Sequence, residues 1–355
     1  MDTKITKKRL KEMMEYELFK FVIFVILIIF AWNLILSMTA TRMMPSQQFT
    51  ILNYYTNRSL TDEARVNFRQ RAKDGLFSYQ VIQHIQYDIA ANAEYSYMLM
   101  EGYITSGEGN LMFLPNLDDQ KSQVDKDENG NEQYRRTHIE TFVMQFRPYT
   151  LRLDGEDGYF AQMESFLNRF YEGGFENGVL NEQEVKEYFL KNVKESKDKR
   201  FKTEEQKNAG ALKEIERLKK YRNALVDFYQ YKEAGYVEFV DISVQIGSGV
   251  LGSGAQGGVL VEGQYALNLC PNEATMGDLK EEYSYAVQIP KEPEDEQENE
   301  PEDEQENEQE EYQYTAKDMC VVFLNPRDNQ PTFEYEDLLY VVALLDTYAK
   351  PSLNS

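Results

Sequence analysis

The chain is poor in the side chains that drive most hydrolytic and redox chemistry: it has 2 His, 2 Cys and 1 Trp, against 25 Tyr and 61 Asp plus Glu. His84 and His138 stand at neither metal-ligand nor nucleophile–base spacing. His84 falls in an apolar run and reads as a packed side chain. Cys270 and Cys320 both border apolar runs (YALNLC and MCVVFL), which leaves a disulfide and two buried free thiols equally open. Gly247-x-Gly249-x-x-Gly252 follows an apolar run, as a phosphate-binding loop would. Such a loop must open a helix whose N–H groups face the pyrophosphate. Gly254, Gly257 and Gly258 break that helix, so the stretch reads as a mobile loop or hinge and no cofactor is expected. Asp125-x-Asp127-x-Asn129-Gly130 resembles the start of a calcium loop. Its twelfth position is Arg136 where a bidentate Glu is required, so it reads as a polar turn, and no metal is expected. What remains is binding chemistry. Tyr54, Tyr55, Asn57 and Arg58 form one polar–aromatic cluster, and Glu108 and Asn110 form a second. These six are the candidate ligand-binding residues, and no catalytic residue is assigned.

Their positions depend on the elements around them. Gln48–Tyr55 (QFTILNYY) reads as a strand, and a helix over Asp62–Gly75 follows, stopped by its glycine. Tyr79–Tyr87 reads as a second strand, residues 90–104 as a helix, and Leu111–Leu114 as a third strand closed by Pro115. Strand and helix alternating at this spacing predict a parallel sheet with crossover helices, and the strands are apolar on both faces, as buried parallel strands are. In such sheets ligands bind outside the carboxyl ends of the strands, which is what selects Tyr54 and its neighbours. His138–Leu153 is apolar enough for a strand or two. Residues 158–235 read as helical, with a capping box at Thr203 and Gln206. Tyr236–Ile246, Gln264–Leu269 and Met319–Leu324 read as strands, and Gly277–Tyr285 and Glu334–Tyr348 as helices.

Phe21–Thr41 carries no charged residue. About 20 apolar residues in a helix cross a hydrocarbon core of about 30 Å. Lys4, Lys7, Lys8, Arg9, Lys11 and Lys20 precede the run and only Arg42 closely follows it. The bias orients residues 1–20 as a cytoplasmic tail, 21–41 as a single-pass membrane anchor and 42–355 as an extracytoplasmic domain at the cell membrane. A cleaved signal has a shorter apolar core and a small-x-small site; Met38-Thr39-Ala40 puts a bulky Met there, so the reading is an uncleaved anchor. The net charge of −23 has a local source, because residues 292–311 hold 13 acids and no base. That tract repeats EPEDEQEN twice and cannot bury anything; 291–312 reads as a disordered insertion in a surface loop, since core-like segments resume after it. Residues 186–222 are a basic island, 13 Lys/Arg against 7 Asp/Glu, read as solvated helix faces, with anionic lipid, wall polymer or the acidic tract as the sharper alternative partners. Nothing in the charge pattern marks a nucleic-acid partner.

The run from Gln48 to Asn116 resembles the first lobe of the extracellular solute-binding proteins of ABC importers, with their type 2 periplasmic-binding-like fold. The residues that carry the likeness are FTILNYY, a helix with Phe68, YQVIQHIQYD, a second helix and SGEGNLMFLP. Where the family has a Gly-x-x-Pro-Asp turn, Gly107-Glu108-Gly109-Asn110 stands here. The carboxyl end (KDMCVVFLN and FEYEDLLYVVALL) is similar to the family's returning strand and closing helix. The layout also resembles membrane-anchored exported proteins of clostridia-type bacteria. The resemblance implies an α/β, two-lobed external domain with a helical middle segment, closing on an extracellular solute. The function expected is therefore a non-enzymatic, membrane-anchored binding or accessory protein. The alternative is a structural or interaction subunit of a membrane complex, bound to a partner protein and to no small molecule.

Overall fold

The computed structural model describes residues 11, 20, 22–35, 47–54, 68–77, 81, 83–89, 95–117, 136–196, 200–246, 259–272, 283–288, 312–324 and 335–348. The chain divides into two compact units, Met1–Met44 and Pro45–Ser355. In the first, residues 22–35 are helical, and Phe24, Ile26, Phe30 and Trp32 are exposed. No helix among the described residues is long and apolar enough to cross a membrane.

The second unit is a mixed α/β fold around a six-stranded sheet. Strands β1 (Gln48–Asn53), β2 (Gln83–Asp88) and β3 (Leu111–Pro115) run parallel, with β1 in the middle. The crossovers contain a helical turn ending at Gly75 and α1 (Ser96–Ser106). β6 (Glu238–Ile246) and β7 (Val259–Asn268) form a long antiparallel hairpin with a bulge at Val240/Asp241. β10 (Met319–Phe323) joins the halves, antiparallel to both β3 and β7, so the order is β2-β1-β3-β10-β7-β6.

Side chains alternate across a strand, so each strand feeds two cores. Phe49, Ile51, Leu111, Phe113, Val321 and Phe323 face one core. It is covered by α3 (Tyr159–Asn168), α5 (Glu204–Glu233) and α6 (Glu336–Tyr348). Leu52, Met112, Leu114, Cys320 and Val322 face the other, under α1 and α2 (His138–Phe146). Burying each large apolar side chain contributes about 1.5–3 kcal/mol, which is why the central strands are apolar on both faces.

Three expectations need correction. His138–Leu153 is not strand: His138–Phe146 forms α2, and only Thr150 makes an isolated β-bridge, to Leu324 just after β10. Thr137 and Glu140 make a reciprocal capping box, and Ile139, Phe142, Val143 and Phe146 fall on one buried helical face. Tyr285 does not end a helix but begins β8 (Tyr285–Gln288). The division into two lobes is absent, because Pro45–Ser355 is one compact unit. The expected helical segment does contain α3, α4 (Glu182–Ser196) and α5, with only the two-residue strands β4 (Tyr171–Glu172) and β5 (Val179–Leu180) between α3 and α4. It cannot stand apart as a lobe: Leu218, Tyr221, Leu225 and Phe228 of α5 share one core with Phe113 and Phe323 of the sheet.

β8 pairs with β9 (Tyr312–Thr315), Gln288 opposite Tyr312. The acidic tract thus leaves and returns at adjacent points, as an insertion between paired strands does. Residues 289–311 themselves lie outside the described residues, as does the glycine-rich stretch 247–258.

Candidate functional site

Of the six candidate residues, Tyr55, Asn57 and Arg58 lie outside the described residues. Tyr54 directly follows β1; its N–H donates to the Phe113 carbonyl (3.0 Å), and its side chain packs on the α1 side of the sheet. Glu108 is exposed just after α1, its N–H donating to the Tyr103 carbonyl. Asn110 is buried and committed to the backbone. Its Oδ1 accepts from Thr50 N–H (2.8 Å), its N–H donates to the Thr50 carbonyl (2.8 Å), and its carbonyl accepts from Leu324 N–H (2.8 Å). Asn110 ties β1 to β3 and to the end of β10 through its backbone and its Oδ1. Gly109 explains the glycine before it: at φ +155°, an added Cβ would stand 2.9 Å from a Leu324 methyl and 3.1 Å from one of Leu52.

Tyr54, the described member of the first cluster, does not adjoin Asn110. Ile51 pairs with Leu111, so Asn110 lies level with Thr50, four residues before Tyr54. That is about 13 Å of strand. Glu108 and Asn110 sit at the amino end of β3, whereas the rule that selected them concerns carboxyl ends.

At the carboxyl end of β1, and two residues short of that of β2, stand two residues that were not among the candidates. Asn53, the last residue of β1, is 0% exposed, and neither its Oδ1 nor its Nδ2 has a hydrogen-bond partner among the described residues. Gln86 of β2 is 8% exposed, and its Oε1 and Nε2 likewise have none among them. Phe49, Ile51 and Asn53 share one face; Phe49 pairs with His84 and Ile51 with Gln86, so both β2 residues share that face. Asn53 also pairs with Phe113, whose ring stacks on Tyr283 with centroids 4.1 Å apart. Next in the chain, Ser284 is fully buried with an unpartnered hydroxyl. Each unpartnered buried polar group costs about 1–3 kcal/mol. Asn53 had a signal in the sequence: it is the polar break in the apolar run FTILNYY. Gln86 had none, because it is one of several polar residues along YQVIQHIQY and nothing in their spacing singles it out. His84 is packed edge-on against Phe68 (5.3 Å between centroids). Burial, then the positive charges of Arg69 and Lys73, push its imidazole below the usual histidine range, so it is neutral at pH 7.

A second polar cluster lies inside the molecule. Arg217 of α5 holds Glu214 through Nη1 (2.9 and 3.1 Å) and Glu336 through Nε (3.2 Å). Tyr221 receives a hydrogen bond from the same Nε (2.8 Å) and donates to Glu336 (2.5 Å). All four are buried. Asp337 adjoins Glu336 with one carboxyl oxygen unpartnered, and burial, then the Glu336 charge, push its pKa well above the usual carboxylate range. The Tyr159 hydroxyl faces the Leu338 amide without reaching hydrogen-bond geometry. One cation thus serves two carboxylates, and the third carboxyl stays protonated. This cluster fastens α5 to the first turn of α6.

Several cations of the basic island are engaged within the fold. Lys219 pairs with Glu182 and Lys207 with Glu204, Lys220 donates to the Gly75 carbonyl, and Arg222 donates to those of Phe175 and Glu176. Cys270 and Cys320 are buried free thiols. Burial pushes the Cys320 thiol up, away from thiolate chemistry. No group of three His, Cys, Asp or Glu among the described residues is arranged to hold a metal. Within the calcium-like stretch 125–136 only Arg136 is described, and its Nη1 contacts the Met144 sulfur. No protein-family model and no curated protein matches the chain.

Proposed function

We propose that the protein is a single-pass, membrane-anchored extracytoplasmic protein that acts by binding rather than catalysis, in the manner of a solute-binding protein. The ligand is held at the carboxyl ends of β1 and β2. The observation that carries the reading is Asn53, fully buried with its whole carboxamide unpartnered at the position where open α/β sheets receive ligands. Support for the type 2 periplasmic-binding-like fold comes from the order β2-β1-β3, from the returning β10 antiparallel beside β3, and from the closing helix α6. Because Pro45–Ser355 is a single unit, the ligand is enclosed over the strand ends and not gripped between two lobes. Support for the anchor comes from the helical residues 22–35 and their exposed apolar side chains.

A second reading, an interaction subunit of a membrane complex, is favoured by α1, where Tyr97 and Met98 are 46% and 67% exposed beside exposed Tyr95. Thermal-shift screening of the detergent-solubilised full chain against sugars, peptides and metals separates the two. A compound that raises the melting temperature, and stops doing so in Asn53→Ala, supports the binding reading. A screen without any shift favours the interaction subunit.

A further inference from the structure

Resting on that binding reading, we infer that the site takes an amide ligand, held by the side-chain amides of Asn53 and Gln86. A carboxamide presents an N–H donor and a carbonyl acceptor in one rigid plane. Its best complement offers an acceptor and a donor at the same spacing, which is another amide. In both residues the oxygen and the nitrogen are unpartnered, so both forks are available whole. The two residues face the same side of adjacent parallel strands, Gln86 level with Ile51 and Asn53 two residues further on. That offset sets them about 8 Å apart, close to the spacing of about 6.7 Å between alternate amides of an extended peptide. One short extended chain can therefore meet both forks.

Among the described residues, Phe113 pairs with Asn53 and Tyr283 stacks on Phe113, while burial holds the His84 imidazole, two residues before Gln86, below the usual histidine range. Asp88 pairs with Asn53 on the other side. An amide ligand exchanges water for matched partners in the two carboxamides.

The test is calorimetric titration of the full chain in detergent with three probe sets: dipeptides blocked by N-acetyl and C-amide groups, the same dipeptides with free termini, and neutral disaccharides. Blocked dipeptides are expected to bind. Asn53→Ala and Gln86→Ala are each expected to weaken that binding about tenfold or more. Far-UV circular dichroism checks folding, and Gln86→Ala, at the edge of the site, serves if Asn53→Ala misfolds. Free-terminus dipeptides that bind and lose affinity in the variants also support the amide class, whereas disaccharides that do so in place of the dipeptides leave the site standing and overturn that class. Blocked dipeptides whose affinity neither variant alters overturn the assignment to these residues. Should no probe bind, both this inference and the binding reading fall.

Discussion

Asp337 is buried beside Glu336, and the Arg217 guanidinium already serves Glu214 and Glu336. Its raised pKa has a stability consequence with a definite sign. The folded state keeps the proton at pH values where the unfolded state, at the ordinary aspartate value of about 3.9, has released it. The contribution is therefore fully present below that value and is lost as pH rises toward the folded pKa. Asp337→Asn keeps the neutral shape and removes the titration. Urea denaturation at pH 5 and pH 8 is expected to show the variant gaining on the wild type as pH rises; a constant difference would mean that Asp337 is ionised in the fold. At this scale the sequence was a partial guide. His84 read correctly as a packed residue. Asn110 looked like a free polar group in a glycine turn, and only the strand register reveals that the Thr50 backbone consumes it. Arg217 was hidden in a basic run, because its partners are three positions away and 119 positions away.

Elements were more legible than single residues wherever a local rule fixed them. The strand–helix–strand order of residues 48–115 and the Thr203 capping box could be read directly, since both depend on short-range spacing. α2 was misread because nine mostly apolar residues suit a strand as well as a buried helix; its Thr137-x-x-Glu140 box was the signal that decides. The β8–β9 hairpin was invisible, because its strands are separated by the acidic tract. That hairpin makes the tract dispensable to the fold. Loop-closure entropy grows only as the logarithm of length, so closing 292–311 out of the chain changes stability by about 1 kcal/mol or less. Deleting it is expected to leave the melting temperature nearly unchanged by circular dichroism. A drop of many degrees would mean that the tract packs against the domain.

For the whole molecule, the proposal is an external domain on a membrane anchor. Reporter fusions in a bacterial host test it: an alkaline phosphatase at the carboxyl end is expected to be active, and one at the amino end inactive. The reverse pattern would invert the topology. Charge bias and the apolar run were plain in the sequence, whereas the single compact unit was not, because a helical segment does not announce which core it joins. A protein that keeps unpartnered amides in its interior gives up stability for function. That is the central claim, and Asn53→Leu tests it in the ligand-free full chain. Leucine keeps the branched shape of asparagine without a polar group to leave unpaired; because its methyl groups are bulkier, the smaller Asn53→Val is measured beside it. The melting temperature is expected to rise by about 2–4 °C for each kcal/mol recovered, while ligand binding is lost. A melting temperature that falls in both Asn53→Leu and Asn53→Val would contradict the account, for it would mean that Asn53 is a structural residue of the folded domain.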